Sequence, residues 1–295
     1  MERALRAAIV TGADHHYFNL MQELLRALSP APAGMSYDLC VLDFGLEKEE
    51  RVYVASLGAQ IMQPTWWFDV PDNLRLQRNL GYAARPVLPS YFPGYDVYIW
   101  LDADISVQNG QFIKAFMDAA IAGDLAIVEE KDRSYRTEPY AWKWHVGNGF
   151  RCFGLVDGLK FSLARPVNAG AFALLANAPH WSVWQERYRA AVRRADRANL
   201  DQHALIAALN FDGLAVRYLD SSYNWICMRS QPLWDEDRKV FCRPYAPFDP
   251  ISVLHLAGRQ KTGLREIKTL GGDVKRMALT YAGSPAPIVD EAIAC

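Results

Sequence analysis

Tyr98-Ile99-Trp100-Leu101-Asp102-Ala103-Asp104 is an apolar run that ends in two carboxylates one residue apart. Val97–Leu101 has the length and the branched, aromatic make-up of a buried strand, which would deliver Asp102 and Asp104 at its carboxyl end. In an extended chain, side chains two residues apart fall on the same side, so both carboxylates would face one point. Two hard oxygen donors placed this way suit Mg²⁺ or Mn²⁺. A second D-x-D, Asp235-Glu236-Asp237, has no strand feeding it, and its polar setting between Trp234 and Arg238 predicts a solvated turn. Context therefore favours the first pair.

The elements around that pair alternate in type. Residues 7–11 (AAIVT) predict a short strand that breaks at Gly12, followed by a helix with Met21, Leu24, Leu25 and Leu28 at helical spacing and a stop at Pro30 and Pro32. Asp14, His15, His16 and Tyr17 occupy the turn between them, where an open α/β sheet binds ligands. A strand over 37–44 with Asp43 near its end, a helix over 47–57 supported by Glu47 and Arg51 at i, i+4, and a strand over 59–63 complete a βαβαβ opening. This alternation predicts an α/β fold with a mostly parallel central sheet flanked by helices. No G-x-G-x-x-G or P-loop lysine is present, so dinucleotide and P-loop chemistry have no support.

Arg75, Arg78 and Arg85 cluster upstream of the carboxylates. Beyond them the pattern predicts a helix over 111–122, a strand over 125–128, the strand Val167–Leu175, helices over 180–195 and 201–209, and strands over 216–219 and 253–256. Gly170 interrupts the Val167–Leu175 strand and marks a close approach of backbone or ligand. Residues 131–165 are rich in Gly, Trp and charge with little periodicity, which predicts a long loop over the site. Past Gly263, Gly271-Gly272 and Ser284-Pro285-Ala286-Pro287 predict a loosely ordered or peripheral tail. The chain thus divides into a domain over residues 1–263 and a C-terminal extension over 264–295.

Bulk properties narrow the classes. The 295 residues are 51% hydrophobic, enough for a sizeable core. With 32 basic and 33 acidic residues the net charge is -1, which lacks the footprint of a nucleic-acid binder. Arg187, Arg189, Arg193, Arg194 and Arg197 read more readily as the wet face of a helix than as a nucleic-acid or membrane-surface patch. Five widely spaced cysteines without a C-x-x-C pair predict reduced thiols in a cytoplasmic setting, and neither a disulfide framework nor a structural zinc site. Residues 1–8 are too short and charged for a signal peptide, and no apolar run has the length of a transmembrane segment. Nine Trp and the Thr65-Trp66-Trp67-Phe68 segment suit either a core or peripheral contact with the inner face of a membrane.

Four features in order resemble glycosyltransferase family 8, the retaining sugar-nucleotide transferases of the GT-A fold. They are a first strand running into A-x-D-x-x-Y (Ala13, Asp14, Tyr17), the strand-borne D-A-D, an N-A-G (Asn168 to Gly170) with D-Q opening a later helix (Asp201, Gln202), and H-x-x-G-x-x-K (His255, Gly258, Lys261). The last pattern would arise by chance in about one chain in a hundred of this composition. The resemblance spans roughly residues 7–263 and implies a GT-A fold. It implies that Asp102, Asp104 and His255 bind Mn²⁺ or Mg²⁺ and that Lys261 reaches the donor diphosphate, with Gly258 letting the backbone pass close to it. Thr11, Asp14 and Tyr17 would contact base and ribose of a UDP-sugar. Arg85 matches the family's basic residue, Ala103 lies within the donor-binding motif, and Asn168, Asp201 and Gln202 would line the sugar and acceptor side. The acceptor would be a carbohydrate, a lipid-linked group or a protein.

Each assignment has a plainer rival. Asp14 and Asp201 would serve equally as helix N-caps, His255 as a core histidine, and Asn168 as a partner for backbone groups. His145 and His203 have no chemical company in the sequence and read as structural. Two other functions also compete. One is a phosphatase or phosphotransferase of the haloacid-dehalogenase type, whose aspartate pair normally lies near the amino terminus. The other is a non-catalytic sugar-nucleotide-binding module, against which an intact metal set and Lys261 count.

Overall fold

A computed structural model describes residues 5–28, 36–123, 125–136, 139–258 and 261–280. In chain order the elements are β1 (Ala7–Ala13), α1 (Phe18–Leu28), β2 (Tyr37–Asp43), α2 (Lys48–Ser56), β3 (Gln60–Met62), two short helices α3 (Leu80–Ala84) and α4 (Leu88–Tyr91), β4 (Val97–Leu101), β5 (Ile105–Val107), α5 (Gln111–Ile121), β6 (Leu125–Glu129) and α6 (Pro139–Ser162). β7 (Val167–Leu175), α7 (His180–Ala195), α8 (Asp201–Phe211), β8 (Val216–Leu219), β9 (Trp225–Ile226), β10 (Leu233–Asp235), β11 (Val240–Cys242), β12 (Val253–His255), β13 (Arg265–Lys268) and β14 (Val274–Met277) follow.

Seven strands form one sheet in the order β3-β2-β1-β4-β7-β6-β8, parallel throughout except that β7 runs against both neighbours. β1 and β4 are central and carry near-continuous apolar runs, because both faces of such strands are covered. On one face Trp181, Trp184 and Tyr188 of α7 pack with Phe172 and with α8. On the other, Met21, Leu24 and Leu25 of α1 meet Phe112 and Phe116 of α5. The chain builds outward from β1 to β2 and β3, then returns to place β4 on the other side of β1. That reversal leaves a crevice at the carboxyl ends of β1 and β4, the place where open α/β sheets hold ligands.

Several expectations are corrected. The first strand runs through Gly12, where an added Cβ would stand 2.5 Å from Phe44 Cε2, so the glycine serves packing and not a break. Arg51 pairs with Asp43 at 2.6 Å, while Glu47 forms a capping box with Glu50 at the start of α2. Residues 131–165 are largely helical: α6 spans most of them, with a break at Gly154, whose φ of 81° is left-handed. Its glycines hid it, since each lowers intrinsic helix propensity by about 1 kcal/mol. Gly149 and Gly158 are there for packing, because a Cβ at either would fall within 2.6 Å of Phe161 or Phe150.

The part of the tail that is described is ordered as well. β13 and β14 pair as a hairpin around Gly271-Gly272, and buried Ile267 and Leu279 join a third core with Trp225 and Phe241. Trp66, Trp67 and Phe68 are partly buried against the α7 side of the main core. The second D-x-D does form a turn with Glu236 and Asp237 exposed, but Asp235 is buried and caps the β10–β11 hairpin by accepting from Asp237 N, Arg238 N and Arg238 Nε. Cys40, Cys152, Cys227 and Cys242 are free and buried. Pro30, Pro32, Cys295 and the Ser284–Pro287 stretch lie outside the described residues. Among the described residues no helix is long and apolar enough to cross a membrane.

Candidate active site

Asp102 and Asp104 are brought together by a tight turn. β4 ends at Leu101, Ile105 N donates to Asp102 O at 3.1 Å, and β5 begins at once. The extended arrangement expected from a period of two is therefore replaced by a turn with the same outcome, two carboxylates on one side. β5 pairs antiparallel with β12 so that His255 lies opposite Ile105, and Leu256 N donates to Asp104 O at 3.0 Å. This short ladder closes the sequence gap between the carboxylates and the imidazole. His255 Nε2 stands 3.5 Å from Asp104 Oδ1 and 3.9 Å from Asp102 Oδ2, and one ligand atom from each of the three residues lies within 4.8 Å of the others.

The tautomer of His255 follows from its partners. Glu130 Oε1 can only accept and takes Asn168 Nδ2 at 3.0 Å, while Gly170 N can only donate and gives to Asn168 Oδ1 at 3.0 Å. Asn168 Oδ1 also takes Asn224 Nδ2 at 3.0 Å, so Asn224 turns its own oxygen to His255 Nδ1, 3.0 Å away. The proton of the neutral ring thus sits on Nδ1, and the Nε2 lone pair faces the two carboxylates. This is the outer support expected of a metal-binding histidine.

The cationic groups divide the carboxylate oxygens among themselves. Asp102 Oδ1 accepts from Arg85 Nη2 and from Trp100 Nε1, the latter at 2.7 Å, which leaves Oδ2 toward His255. Arg85 Nη1 also bonds Asp201 Oδ2 at 2.5 Å, and its guanidinium lies 5.4 Å from the Trp100 ring centroid. Lys261 Nζ donates to Asp104 Oδ2 and stands 5.1 Å from the Tyr17 ring.

The site favours positive charge. Burial pushes the Asp104 carboxyl up, but His255 and Lys261 outweigh it and hold the group well below the usual carboxylate range. Burial pushes the His255 imidazole down, and Asp104 and then Asp102 reverse this and hold it above its ordinary value. Burial raises Asp201 against the opposing pull of Arg85. Two anionic oxygens and an oriented imidazole nitrogen, with Asp104 and His255 buried and Asp102 open to the cleft, form a donor set that fits a small divalent ion such as Mn²⁺ or Mg²⁺.

A cleft of about 680 Å³ opens beside this set. Asp14, Tyr17, Arg85, Asp102, Ala103, Asp104 and Lys261 line it, together with Asn73, Leu74, Leu76, Arg78, Asn79 and residues 196–199. Asp14 does cap the turn, accepting from Tyr17 N at 3.1 Å, and still faces the cleft. Of the three upstream arginines, Arg78 lines the cleft, Arg75 pairs with Asp69 on the surface, and Arg85 reaches the carboxylates.

Thr11, Asn168, Asp201, Gln202, His255 and Gly258 are not among the lining residues. Thr11 is buried in β1 with no partner for its hydroxyl among the described residues. Asp201 is buried at the start of α8 and is taken up by Arg85 rather than by a cap bond. Gln202 accepts from Ala169 N at 3.0 Å and donates to Glu130 at 3.2 Å. Those bonds form where β7 bulges against β6, a slip that frees Ala169 and Gly170 from the ladder. Gly170 is the close approach expected there: an added Cβ would stand 2.4 Å from His255 Cε1 and 3.0 Å from Asp102 Oδ2. Gly258 is exposed with a φ of 103°.

Asn224, Glu130, Trp100 and Arg229, which donates to Glu130 at 2.6 Å, had no motif to announce them. For Glu130 a signal existed, since Glu129-Glu130 ends an apolar strand much as Asp102 does. Asn224 sits before a two-residue strand, and nothing in its neighbourhood marks it.

No family model matches the chain, and no curated protein matches it. Solved structures do share its fold. The galactosyltransferase LgtC, in complex with donor and acceptor sugar analogs, superposes with a TM-score of 0.55 at 19% identity over 85% of this chain and 87% of that one. The bifunctional glycosyltransferase WbbM gives a TM-score of 0.55 at 13% identity over 88% of this chain and 47% of that one. At such identities the likeness speaks for the fold, the GT-A arrangement expected from the sequence.

Proposed function

We propose that this chain is a metal-dependent retaining glycosyltransferase that moves a sugar from a UDP-linked donor to a carbohydrate, lipid-linked or protein acceptor. The observation that carries this reading is the gathering of Asp102, Asp104 and His255 at the crevice between β1 and β4, with Lys261 on one carboxylate and Arg85 on the other. A fold shared with LgtC, a galactosyltransferase solved with donor and acceptor analogs, supports it. The catalytic unit runs over residues 1–263, to which the β13–β14 hairpin is appended.

Breaking a sugar–phosphate bond requires that charge on the departing diphosphate be stabilised. Mn²⁺ or Mg²⁺ held by Asp102, Asp104 and His255 would supply Lewis acidity to that leaving group. Lys261, already beside Asp104, would add a mobile positive charge to the diphosphate. Arg85 holds Asp102 and Asp201 in fixed geometry, so that Asp102 presents one oxygen only. Asp14 and Tyr17, which line the cleft, would contact base and ribose together with Thr11. Asn168 and Gln202 both donate to Glu130 and, with Asp201, would line the sugar and acceptor side.

Calorimetry with UDP checks this directly. Binding should require Mn²⁺ or Mg²⁺ and weaken by roughly a hundredfold or more in Asp104→Ala and in His255→Ala, each of which removes a ligand. UDP affinity that ignores the metal, or no UDP binding at all, overturns the proposal.

A further inference from the structure

The last turns of α6 and the residue that follows them carry four large apolar side chains open to water. Beyond the break at Gly154, Leu155, Val156, Leu159 and Leu163 are 79%, 68%, 61% and 86% exposed. On the helix the offsets of one and four residues from Leu155 keep Val156 and Leu159 within an arc of about 100°, and Leu163 stands just past the last turn, so the four form one stripe. The opposite face is firmly anchored. Phe161 is fully buried and stacks on His203 at 5.6 Å, and Gly158 packs against Phe150. The segment thus turns its leucines outward while its inner face is satisfied, and a contiguous patch of this kind marks an interaction site.

Charge identifies the partner. Residues 139–165 and 180–197 hold nine basic side chains against three acidic ones, whereas the whole chain balances at -1. Arg151 and Lys160 are exposed on α6 itself, Arg165 follows it, and the Arg194 guanidinium lies against Gly154. An apolar stripe rimmed by Lys and Arg complements an anionic bilayer, whose headgroups meet the rim while the acyl boundary takes the leucines. A second copy docked stripe to stripe would instead set one basic rim against another.

We infer that the stripe formed by Leu155, Val156, Leu159 and Leu163 docks on the surface of an anionic lipid membrane. The amino-terminal half of the same helix packs Trp144 on His203 at 4.5 Å, and His203 follows Gln202. Resting on the proposed function, a bilayer held by α6 lies beside the acceptor side of the site and makes the acceptor a lipid-linked group.

Co-sedimentation tests this with vesicles of phosphatidylcholine alone and of phosphatidylcholine with phosphatidylglycerol. The full chain should bind the anionic vesicles at least about tenfold more tightly. Leu155→Asp with Leu159→Asp should lose that binding by about tenfold or more through the stripe, and Arg151→Glu with Lys160→Glu should lose it through the rim. Circular dichroism melts check that these surface variants stay folded, and UDP binding should be unchanged in both. No binding to anionic vesicles, or binding that the leucine variant leaves intact, overturns the inference. So does a wild-type dimer in vesicle-free buffer that the leucine variant abolishes, since that assigns the face to a second copy. Vesicle binding is read without any nucleotide, so failure of UDP to bind would overturn the transferase proposal alone.

Discussion

Asp102 can offer a cation one oxygen, because Arg85 and Trp100 both hold the other. The quality of the third ligand therefore matters, and His255 depends on Asn224 for its tautomer. Replacing Asn224 by alanine removes the acceptor for the Nδ1 proton and takes one of the two donors from Asn168 Oδ1. We expect Mn²⁺ affinity to fall about 10- to 100-fold in Asn224→Ala, measured by calorimetry on a protein whose melt confirms that it folds. A change below about twofold would show that the β5–β12 ladder alone orients the ring. At this scale the sequence was legible where residues act in a motif. Asp102, Asp104, His255 and Lys261 are spaced along the chain in a recognisable order. Asn224 acts through a partner 31 residues away, and a lone Asn carries no spacing to read, while Glu130 had only its place at the end of an apolar strand to mark it.

Elements bring these residues into register, and β7 does so from below. Gly170 lies directly under the imidazole, and the strand continues through it because its neighbours leave no room for a side chain. In Gly170→Ala the new Cβ, 2.4 Å from His255 Cε1, must push the ring or the strand aside. We expect a stability loss of about 1–3 kcal/mol in denaturant titration together with at least about tenfold weaker Mn²⁺ binding, since the ring is the softer of the two. Full metal affinity in a destabilised variant would mean that β7 yields and the site does not. The β-strands and the helices of the first half were legible because their apolar periods are clean and both sheet faces are covered. α6 was not, because its glycines serve packing against Phe150 and Phe161, and a glycine's packing role leaves the same mark in sequence as a loop. The turn at Asp102–Asp104 was hidden for a related reason: the two-residue spacing fits an extended chain and a tight turn equally.

Across the whole molecule, α6 is tied to α8 through Trp144, His145, Phe161 and His203, and this joint makes stability depend on acid. Burial first, and then the neighbouring His145, push His203 down to about 3, and neither ring nitrogen has a partner among the described residues. Burial lowers His145 as well. An unfolded chain takes up a proton on such a histidine near pH 6.5, while the folded one refuses it until far lower pH. The unfolded state then binds more protons through this window, so stability is fully present above about pH 6.5 and declines as the pH falls. For His203 the loss between pH 6.5 and pH 5 comes to about 2 kcal/mol. A phenylalanine would stack on Phe161 and Trp144 without that liability. Thermal melts of the wild type and of His203→Phe should therefore diverge on acidification, the wild type falling more steeply between pH 7 and pH 5. Parallel curves would show that His203 reaches water or a proton acceptor in solution, and that the joint between α6 and α8 is looser than its packing implies. Because α8 begins with Asp201 and Gln202 and α6 carries the exposed leucine stripe, loosening this one joint would disturb the site and the docking face together.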